Sequence, residues 1–538
     1  MKRITSVVAM TAAVAAVAPA ANAERGICVG NQHGCYSGLR AALDAAHDGD
    51  TVTISPGRYA GGVTIEKNIR LVGSGARSTV IKGGGPVLTI GRHLADRQLD
   101  VTISGVTITG GVTTSSPAAA DEYGKEGTVA FGGGIEVSFT ADHRPGAVVT
   151  IRDSVITRNR VAPTVTVPSG NATCPDGPCP FALAKGGGID TAGPLTLKNT
   201  VVSDNSAGGV ASDAVGGGIS VWDTGSLTVA RSRVTGNRAV ASKPNGRFAE
   251  GGGIFVGDGV TLAIRDSSID DNDLKLESDL PYFVEGADPI DMNANGGGVH
   301  AGPGSDVTIE RVSINRNSIF VSDPNGRPYA YDSALLTATG PLVLRDSRIQ
   351  GNRLFADVGS SEEVGYSGGA LDMYGPATVS NTVISQNDVL VKSRDGLASA
   401  GGAVYSGEGE VFAVIDDSVI ADNSTKAISA NGQASVQGAG LTNDGPLRLR
   451  DVEITGNSGQ AFGPSGFARG GGIWQGQLFN EGGLPIQLAL QRTTVARNRV
   501  SGSRGIDVGG GGVFTDGFPI SLDDSRVFRN SPNQCEGC

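Results

Sequence analysis

Acidic, aromatic and histidine residues recur at one position of this sequence, directly after a repeated phrase that reads Gly-Gly-Gly-Ile or a close variant. The first two are Glu136 and Asp190. Paired carboxyl groups within about 5–10 Å of each other can hydrolyse a glycosidic bond. The same pair can share a proton or a cation. Glu136 and Asp190 are therefore candidate catalytic residues, provided that the fold brings them together.

The later members of this series combine flat rings with polar groups, which suits the binding of sugar rings. The candidate ligand-binding residues are Phe255, His300, Asp372, Tyr405, Trp474 and Phe514. One repeat departs from the pattern and reads Ser333-Ala334-Leu335-Leu336-Thr337. A mixture of polar and aromatic residues is also what an unconstrained surface position accumulates, so a purely structural interpretation stays open.

A second phrase alternates with the glycine phrase and shows that the chain is built of repeats. It reads apolar-Thr-apolar, a polar pair and a β-branched pair that leads to Asn, as in the segment 195–205. The closing asparagines are Asn159, Asn205, Asn237, Asn272, Asn317, Asn352, Asn387, Asn423, Asn457, Asn498 and Asn530. Self-similarity at a period of about 35 residues is typical of stacked supersecondary units.

Each repeat predicts a compact coil of short strands followed by one loop of variable length. The glycine phrase begins one strand, a segment such as Leu227-Thr228-Val229 forms a second, and a third ends at the Asn. Three strands per turn, each paired with its counterpart in the next coil, predict a parallel β-helix. The recurring Asn predicts a ladder of stacked side-chain amides. The residue after each Gly-Gly-Gly-Ile should point outward, in one column along the rod.

The N-terminal segment predicts a cap for this solenoid. Leu39, Ala42, Leu43 and Ala46 recur at helical spacing. An open solenoid end exposes unpaired strand edges and needs a cover. The six cysteines form three close pairs, Cys28 with Cys35, Cys174 with Cys179 and Cys535 with Cys538, which predicts three local disulfides among the possible pairings. A metal site at the last pair is the alternative.

The stretch from "GDTVTISPGRYAGGVTI" to "VTISGVTITGG" resembles the opening of bacterial right-handed parallel β-helix proteins of the pectate-lyase-like superfamily. The later glycine and asparagine phrases resemble polymorphic outer-membrane-protein repeats. This resemblance implies an all-β, right-handed parallel β-helix, a fold shared by lyases, hydrolases, epimerases and non-catalytic surface proteins. The Gly-His-Gly and Asn-Thr-Asp strings of galacturonan hydrolases do not occur in the sequence.

Pectate lyases, which the resemblance brings in, use a carboxylate cluster for calcium and a basic residue that takes a proton. Glu136 and Asp190 supply only a fragment of such a cluster, and the sequence suggests no Arg or Lys at a neighbouring outward position. The expectation is no cofactor, with calcium as the alternative.

The start of the chain predicts export. Met1-Lys2-Arg3, an Ala/Val-rich run and Ala21-Asn22-Ala23 are typical of a secretory signal peptide over residues 1–23, with a membrane anchor as the alternative. The other predicted regions are an N-terminal cap region, 24–60, and the β-helix repeats, 61–538. A net charge of −11 argues against nucleic acid and anionic membranes as partners. The protein is expected to be a secreted or cell-surface monomer.

The sequence favours a non-catalytic role in recognition or adhesion, with glycans or surface proteins as partners. The alternative is a polysaccharide lyase or glycoside hydrolase that acts at the column around Glu136 and Asp190. A structural spacer without a ligand is the third possibility. Clustered carboxylates with a facing base would favour the enzyme.

Overall fold

The chain folds into a right-handed parallel β-helix, as the sequence predicts. The computed structural model describes residues 26–92, 97–116, 128–139, 144–163, 182–210, 212–222, 225–243, 246–278, 292–324, 328–337, 339–359, 368–407, 413–476, 488–518 and 520–538. Within these residues every pair of neighbouring strands in a sheet is parallel. Each coil therefore hydrogen-bonds to the coil before it and the coil after it.

Three long sheets, A, B and C, form the walls of the main coil, and the chain runs through them in the order C, A, B. Sheet A consists of the strands Gly26–Val29, Thr51–Ile54, Ile69–Gly73, Leu99–Ser104, Ala147–Arg152, Pro194–Lys198, Ser226–Ala230, Thr261–Arg265, Asp306–Glu310, Leu342–Arg345, Ala377–Ser380, Ala413–Asp416, Leu447–Arg450, Leu488–Gln491 and Ile520–Asp523. Sheet B consists of Gly57–Ala60, Thr79–Lys82, Thr107–Thr109, Val155–Thr157, Val201–Ser203, Arg233–Thr235, Ser268–Asp270, Ser313–Asn315, Arg348–Gln350, Val383–Ser385, Val419–Ala421, Glu453–Thr455, Thr494–Ala496 and Arg526–Phe528. Sheet C consists of Val63–Ile65, Leu88–Ile90, Ile135–Val137, Ile189–Thr191, Ile219–Val221, Ile254–Val256, Val299–Ala301, Leu335–Thr337, Leu371–Met373, Val404–Ser406, Leu441–Asn443, Ile473–Gln475, Val513–Thr515 and Cys535–Glu536.

Further strands follow the Asn of most repeats, where the sequence predicted only a loop. Sheet D consists of Val112–Thr113, Arg160–Val161, Ser206–Ala207, Arg238–Ala241, Asp273–Glu277, Ser318–Asp323, Arg353–Val358, Asp388–Ser393, Ser424–Ser429, Ser458–Phe462 and Arg499–Gly502. Sheet E consists of Thr128–Phe131, Ala182–Lys185, Ser212–Val215, Phe248–Glu250, Met292–Asn295 and Pro328–Tyr331. Sheet F continues its path with Ala398–Ala400, Gln433–Gln437, Ser465–Arg469 and Ile506–Gly509. The three predicted strands of each turn are present as sheets C, A and B, but the prediction of a loop after the Asn is wrong, because these segments also form strands that pair between coils.

The main coil and the strands that follow each Asn enclose separate apolar cores, and the core of these later strands is itself divided. Inward residues of sheets A, B and C, such as Ile135, Leu197 and Val202, fill the main coil and are fully buried. Sheet D packs against sheets E and F over a second core of smaller side chains, among them Leu276 and Ala294. The strands after each Asn thus form an arm that projects from the main coil and returns to it at the glycine phrase.

The asparagine side chains form the predicted ladder at the start of this arm. Asn352 is fully buried, and its Nδ2 donates to Oδ1 of Asn387 and to the carbonyl of Ile314, both at 2.9 Å. Its own Oδ1 accepts hydrogen bonds from the backbone N–H and from Nδ2 of Asn317. The same arrangement runs from Asn159 to Asn530. Each amide therefore closes the corner of its own coil and ties it to two neighbours.

Glycine is required where the arm returns to sheet C. Gly186 has φ of +64°, and a Cβ at this position would collide with the carbonyl oxygen of Ile189. Glycine tolerates this left-handed conformation and has no Cβ to clash. The glycine phrase of the sequence is therefore a turn between sheet E and sheet C.

The N-terminal helix and the terminal disulfides are also present. The helix Leu39–Ala45 buries Leu39, Ala42 and Leu43 against the first coils. Cys28 is bonded to Cys35, and Cys535 is bonded to Cys538. The predicted bridge between Cys174 and Cys179 lies outside the described residues. In the described part of the chain no helix is both long and apolar enough to traverse a bilayer.

Removing one amide of the ladder is expected to destabilise the protein strongly. Asn352→Ala deletes four hydrogen bonds and leaves buried donors and acceptors of its neighbours without partners, which costs about 3–5 kcal/mol. The measurement is the midpoint of thermal unfolding. The matched control is Asn431→Ala, which removes one exposed hydrogen bond to Asp395 and should cost less than about 1 kcal/mol. Equal losses for the two variants would contradict a structural role of the ladder.

Candidate functional site

The predicted column of side chains exists, and its members stack in register on sheet C. Glu136 is the register partner of Asp190, and the pairing continues coil by coil. We call this series the corner column; its members are Glu136, Asp190, Ser220, Phe255, His300, Leu336, Asp372, Tyr405, Thr442, Trp474 and Phe514. Neighbouring parallel strands lie about 4.8 Å apart. The sequence therefore placed the carboxyl pair Glu136 and Asp190 on adjacent coils correctly.

The corner column is not on an open surface, contrary to the prediction. Glu136 and Asp190 are each 7% exposed, and Asp372 is 1% exposed. The arm explains this burial. Sheets E and F turn toward sheet C, so that their outward side chains cover those of the corner column. Arg469 of sheet F, for example, lies over the ring of Phe514, at 4.6 Å from its centroid. The column therefore lines a corner between two sheets.

At the N-terminal part of the column two carboxyl groups share a poorly solvated environment. Burial, together with the negative charge of Asp190, raises the pKa of Glu136 to about 8. A carboxyl group with this pKa holds its proton at neutral pH and can donate it. A protonated carboxyl beside a second carboxyl group is the combination that glycosidases use as acid and nucleophile or base.

Lys185 brings a positive charge close to Asp190, which the sequence analysis did not predict. It directly precedes Gly186, where an added Cβ would lie 2.7 Å from Cβ of Asp190. It is the last residue of its sheet E strand and is 3% exposed. Its Nζ lies 3.6 Å from the ring centroid of Trp222 and 5.3 Å from that of Phe131. The sequence predicts a loop before each glycine phrase and therefore places the residues of that segment in no column. The available signal was that Lys185 and Phe131 both immediately precede a glycine run.

Rings stack on one another at the next coils. Phe255 and His300 are parallel, with an interplanar angle of 2° and centroids 5.2 Å apart. Trp222 packs on the other side of Phe255, at 4.7 Å. Burial lowers the pKa of His300, so its imidazole is neutral at pH 7. Trp222 and His300 therefore cover the ring of Phe255, which presents only its edge to a ligand.

Asp372 belongs to a second carboxyl pair, and the other member of this pair was not predicted from the sequence. Its partner is Asp332, which occupies the position of the first glycine in the irregular repeat. Burial is the main cause that raises the pKa of Asp372 to about 7 and that of Asp332 well above its usual value. The hydroxyl group of Tyr374 lies nearby, and burial and the charge of Asp372 hold its pKa far above its ordinary range. Tyr405 packs on Tyr374, with ring centroids 5.3 Å apart.

The candidate residues therefore lie at separate positions along the corner column and do not form one site. Asp190 and Trp474 are eight coils apart along the column, or about 38 Å at the spacing of parallel strands. Trp474 and Phe514 are 8% and 6% exposed and lie near Arg469. Among the described residues, no three His, Cys, Asp or Glu side chains come together in a way that could hold a metal ion.

The pKa of Glu136 makes a testable contribution to the pH dependence of stability. Below about pH 4.5 the carboxyl is protonated in both the folded and the unfolded chain, so its burial then costs no ionisation energy. Between about pH 4.5 and pH 8 only the unfolded chain ionises, and stability falls by a few kcal/mol in total. Glu136→Gln should remove this loss, so that the variant gains stability relative to the wild type as pH rises from 5 to 9. Thermal unfolding across this range, with the exposed Glu453→Gln as control, checks the expectation; parallel curves for wild type and Glu136→Gln would contradict it.

Comparison with known proteins assigns this chain to no family. No family model and no curated protein matches the chain. One similar solved structure is a complex of the alginate lyase AlyF-OU02 with G6, at 12% identity and a TM-score of 0.24, covering 95% of this chain and 90% of that chain. Another is the Yersinia enterocolitica family 28 exopolygalacturonase, at 10% identity and a TM-score of 0.21, covering 92% of this chain and 75% of that chain. Similarity at this level gives no information on what this chain binds or does.

Proposed function

We propose that the corner at Glu136, Asp190 and Lys185 cleaves glycosidic bonds of a polysaccharide. The observation that carries this proposal is the carboxyl pair, in which Glu136 keeps its proton at neutral pH next to Asp190. Groups whose environments separate their protonation states are the usual signature of an acid paired with a base or nucleophile. The buried Lys185 side chain lies over Trp222 and brings a basic group to this corner, where the sequence suggested no Arg or Lys.

The proposed reaction follows from this arrangement. Glu136 donates its proton to the leaving glycosidic oxygen while the bond between that oxygen and the anomeric carbon breaks. The Asp190 carboxylate attacks the anomeric carbon and forms an ester. Water, deprotonated by Glu136, then displaces Asp190 and regenerates both groups. Partners on neighbouring strands about 4.8 Å apart favour this retaining route, because the inverting route needs about 6.5–9.5 Å between the carboxyl groups.

Aromatic residues near this pair offer a surface for the sugar. Trp222 is only half-buried, and its indole N–H donates to the hydroxyl group of Ser220, which fixes the ring plane. Tyr331, Tyr374 and Tyr405 are also half-buried and line the same corner further along. A chain of sugar rings that follows the corner could contact these aromatic side chains in turn.

Recognition of a glycan or a protein partner without cleavage is the second candidate. It is favoured by the small exposure of Glu136 and Asp190, 7% each, beside aromatic side chains that are more exposed. In this case the carboxyl pair would be a packing feature and the half-buried rings would carry the binding. Secretion or display on the cell surface, the monomeric state and the kinship with polymorphic outer-membrane-protein repeats belong to this proposal and rest on the sequence.

The reducing ends released from a panel of neutral and acidic polysaccharides are expected to increase with the purified protein. Glu136→Gln and Asp190→Asn should each reduce the rate at least about 100-fold, because each removes a group that takes part in bond cleavage. Glu453→Gln, on the outer face of sheet B, is the matched control and should retain full activity. Product analysis should show retention of the anomeric configuration.

Two results would contradict the enzymatic proposal: no reducing ends on any substrate, or undiminished rates in both variants. Binding to the same panel then distinguishes the second candidate. If the wild type binds a glycan and Trp222→Ala weakens that binding, recognition without cleavage is established. If Trp222→Ala binds as the wild type does, this corner is not the binding surface.

A further inference from the structure

The second carboxyl pair, Asp332 and Asp372, lacks the partners that buried charges require. Asp332 is fully buried and Asp372 is 1% exposed. The two carboxyl groups interact with each other through a hydrogen bond, and no other donor among the described residues reaches any of their four oxygens. Buried charges are normally paired, hydrogen-bonded or bound to a metal ion. This pair therefore requires an explanation beyond packing.

The surroundings contain oxygen atoms but supply no positive charge that offsets the pair. Burial and the mutual effect of the two carboxyl groups account for their electrostatics, and no Lys, Arg or His in the described part of the chain contributes. Tyrosine hydroxyls lie close to the pair, since the charges of Asp372, Asp332, Tyr331 and Tyr405 all act on Tyr374. One shared proton would occupy only two of the four carboxylate oxygens and would leave a net negative charge. A cation would neutralise both groups.

The backbone supplies an independent observation. Asp332 has φ of +52°, in the place where Gly296 has φ of +70° and Gly251 has φ of +62°. A residue with a Cβ is disfavoured in this conformation, although Asp tolerates it better than most. In the next coil a Cβ at Gly368 would collide with the carboxylate of Asp372. The chain therefore introduces a carboxylate where the repeat has glycine and keeps the neighbouring coil free of a side chain beside the other carboxylate.

We propose that Asp332 and Asp372 together bind a divalent cation that prefers oxygen ligands, with calcium favoured over magnesium. Two carboxylates offer up to four oxygens, and tyrosine hydroxyls or water can complete the shell. Calcium accepts six to eight oxygens in flexible geometry, whereas magnesium demands a near-ideal octahedron and releases its waters reluctantly. The proposed site is separate from Glu136 and Asp190. Asp332 lies four coils from Asp190 and Asp372 lies five, or about 19–24 Å at the parallel-strand spacing.

Calorimetric titration of the EDTA-treated protein with CaCl₂ tests this site directly. The wild type is expected to bind one calcium ion per chain, and the midpoint of thermal unfolding should rise with calcium concentration, because a ligand that binds only the folded state stabilises it. Asp332→Gly, which restores the glycine of the repeat, should weaken binding at least 10-fold and abolish the thermal shift. Asp372→Asn should have the same effect. MgCl₂ is expected to bind more weakly than CaCl₂.

The matched control is Asp190→Asn in the other carboxyl pair, which should bind calcium as the wild type does. Asp332→Gly is chosen because it replaces a strained residue by the one the fold prefers, so loss of folding is not expected. No heat of binding and no thermal shift with calcium or magnesium would overturn the proposal and identify the pair as two carboxyl groups sharing a proton. Unchanged calcium binding in both Asp332→Gly and Asp372→Asn would also overturn it, by placing the ion elsewhere. Neither readout depends on catalysis, so failure here and failure of the proposed hydrolase are distinguishable.

Discussion

The constraint on which the whole structure depends is that every coil must hydrogen-bond to the next in the same register. Backbone groups of each strand find their partners only in the neighbouring coils. The fully buried asparagine amides enforce the same alignment at the corner between sheets B and D. Every position of the repeat therefore becomes a column, and identical positions meet about 4.8 Å apart. Apolar residues satisfy this rule easily, which explains the continuous core of Ile, Leu and Val.

The same rule makes charged columns costly and chemically active. Two acidic residues at equivalent positions of adjacent coils, such as Glu136 and Asp190, cannot move apart without breaking the register. Their repulsion and their burial favour protonation of one member. Elsewhere the chain relieves similar contacts with opposite charges, as where Arg316 meets Asp271 on an exposed turn, with Nη2 and Oδ2 2.7 Å apart. Among the described residues no basic side chain relieves the pair of Asp332 and Asp372 in this way, which sets this pair apart from the ion pairs of the surface.

Sequence reasoning recovered the features that repeat and missed those that depend on one residue in one coil. The glycine and asparagine phrases predicted the parallel β-helix, the amide ladder and the register of Glu136 with Asp190, because each follows from periodicity. The arm was not predicted, because the segments after the Asn vary in length and variable length is typical of loops. Because the arm was not predicted, neither the position of Lys185 in sheet E nor the burial of the corner column was predicted. Asp332 was missed because the irregular repeat was aligned by its apolar residues, so that its acidic residue was not compared with the glycines.

The position of the variable segments has a consequence for how such a chain can change over generations. Consecutive asparagines of the ladder are separated by as few as 32 and as many as 46 residues, and their side chains still meet at 3.0 Å. Insertions between sheets D and E therefore do not change which residues pair between coils. The gain or loss of a whole repeat, in contrast, lengthens or shortens the rod by one coil. The distance between two sites on the corner column can thus change only in whole steps of about 4.8 Å. The spacing of such sites is discrete, and selection would choose among a short series of fixed separations.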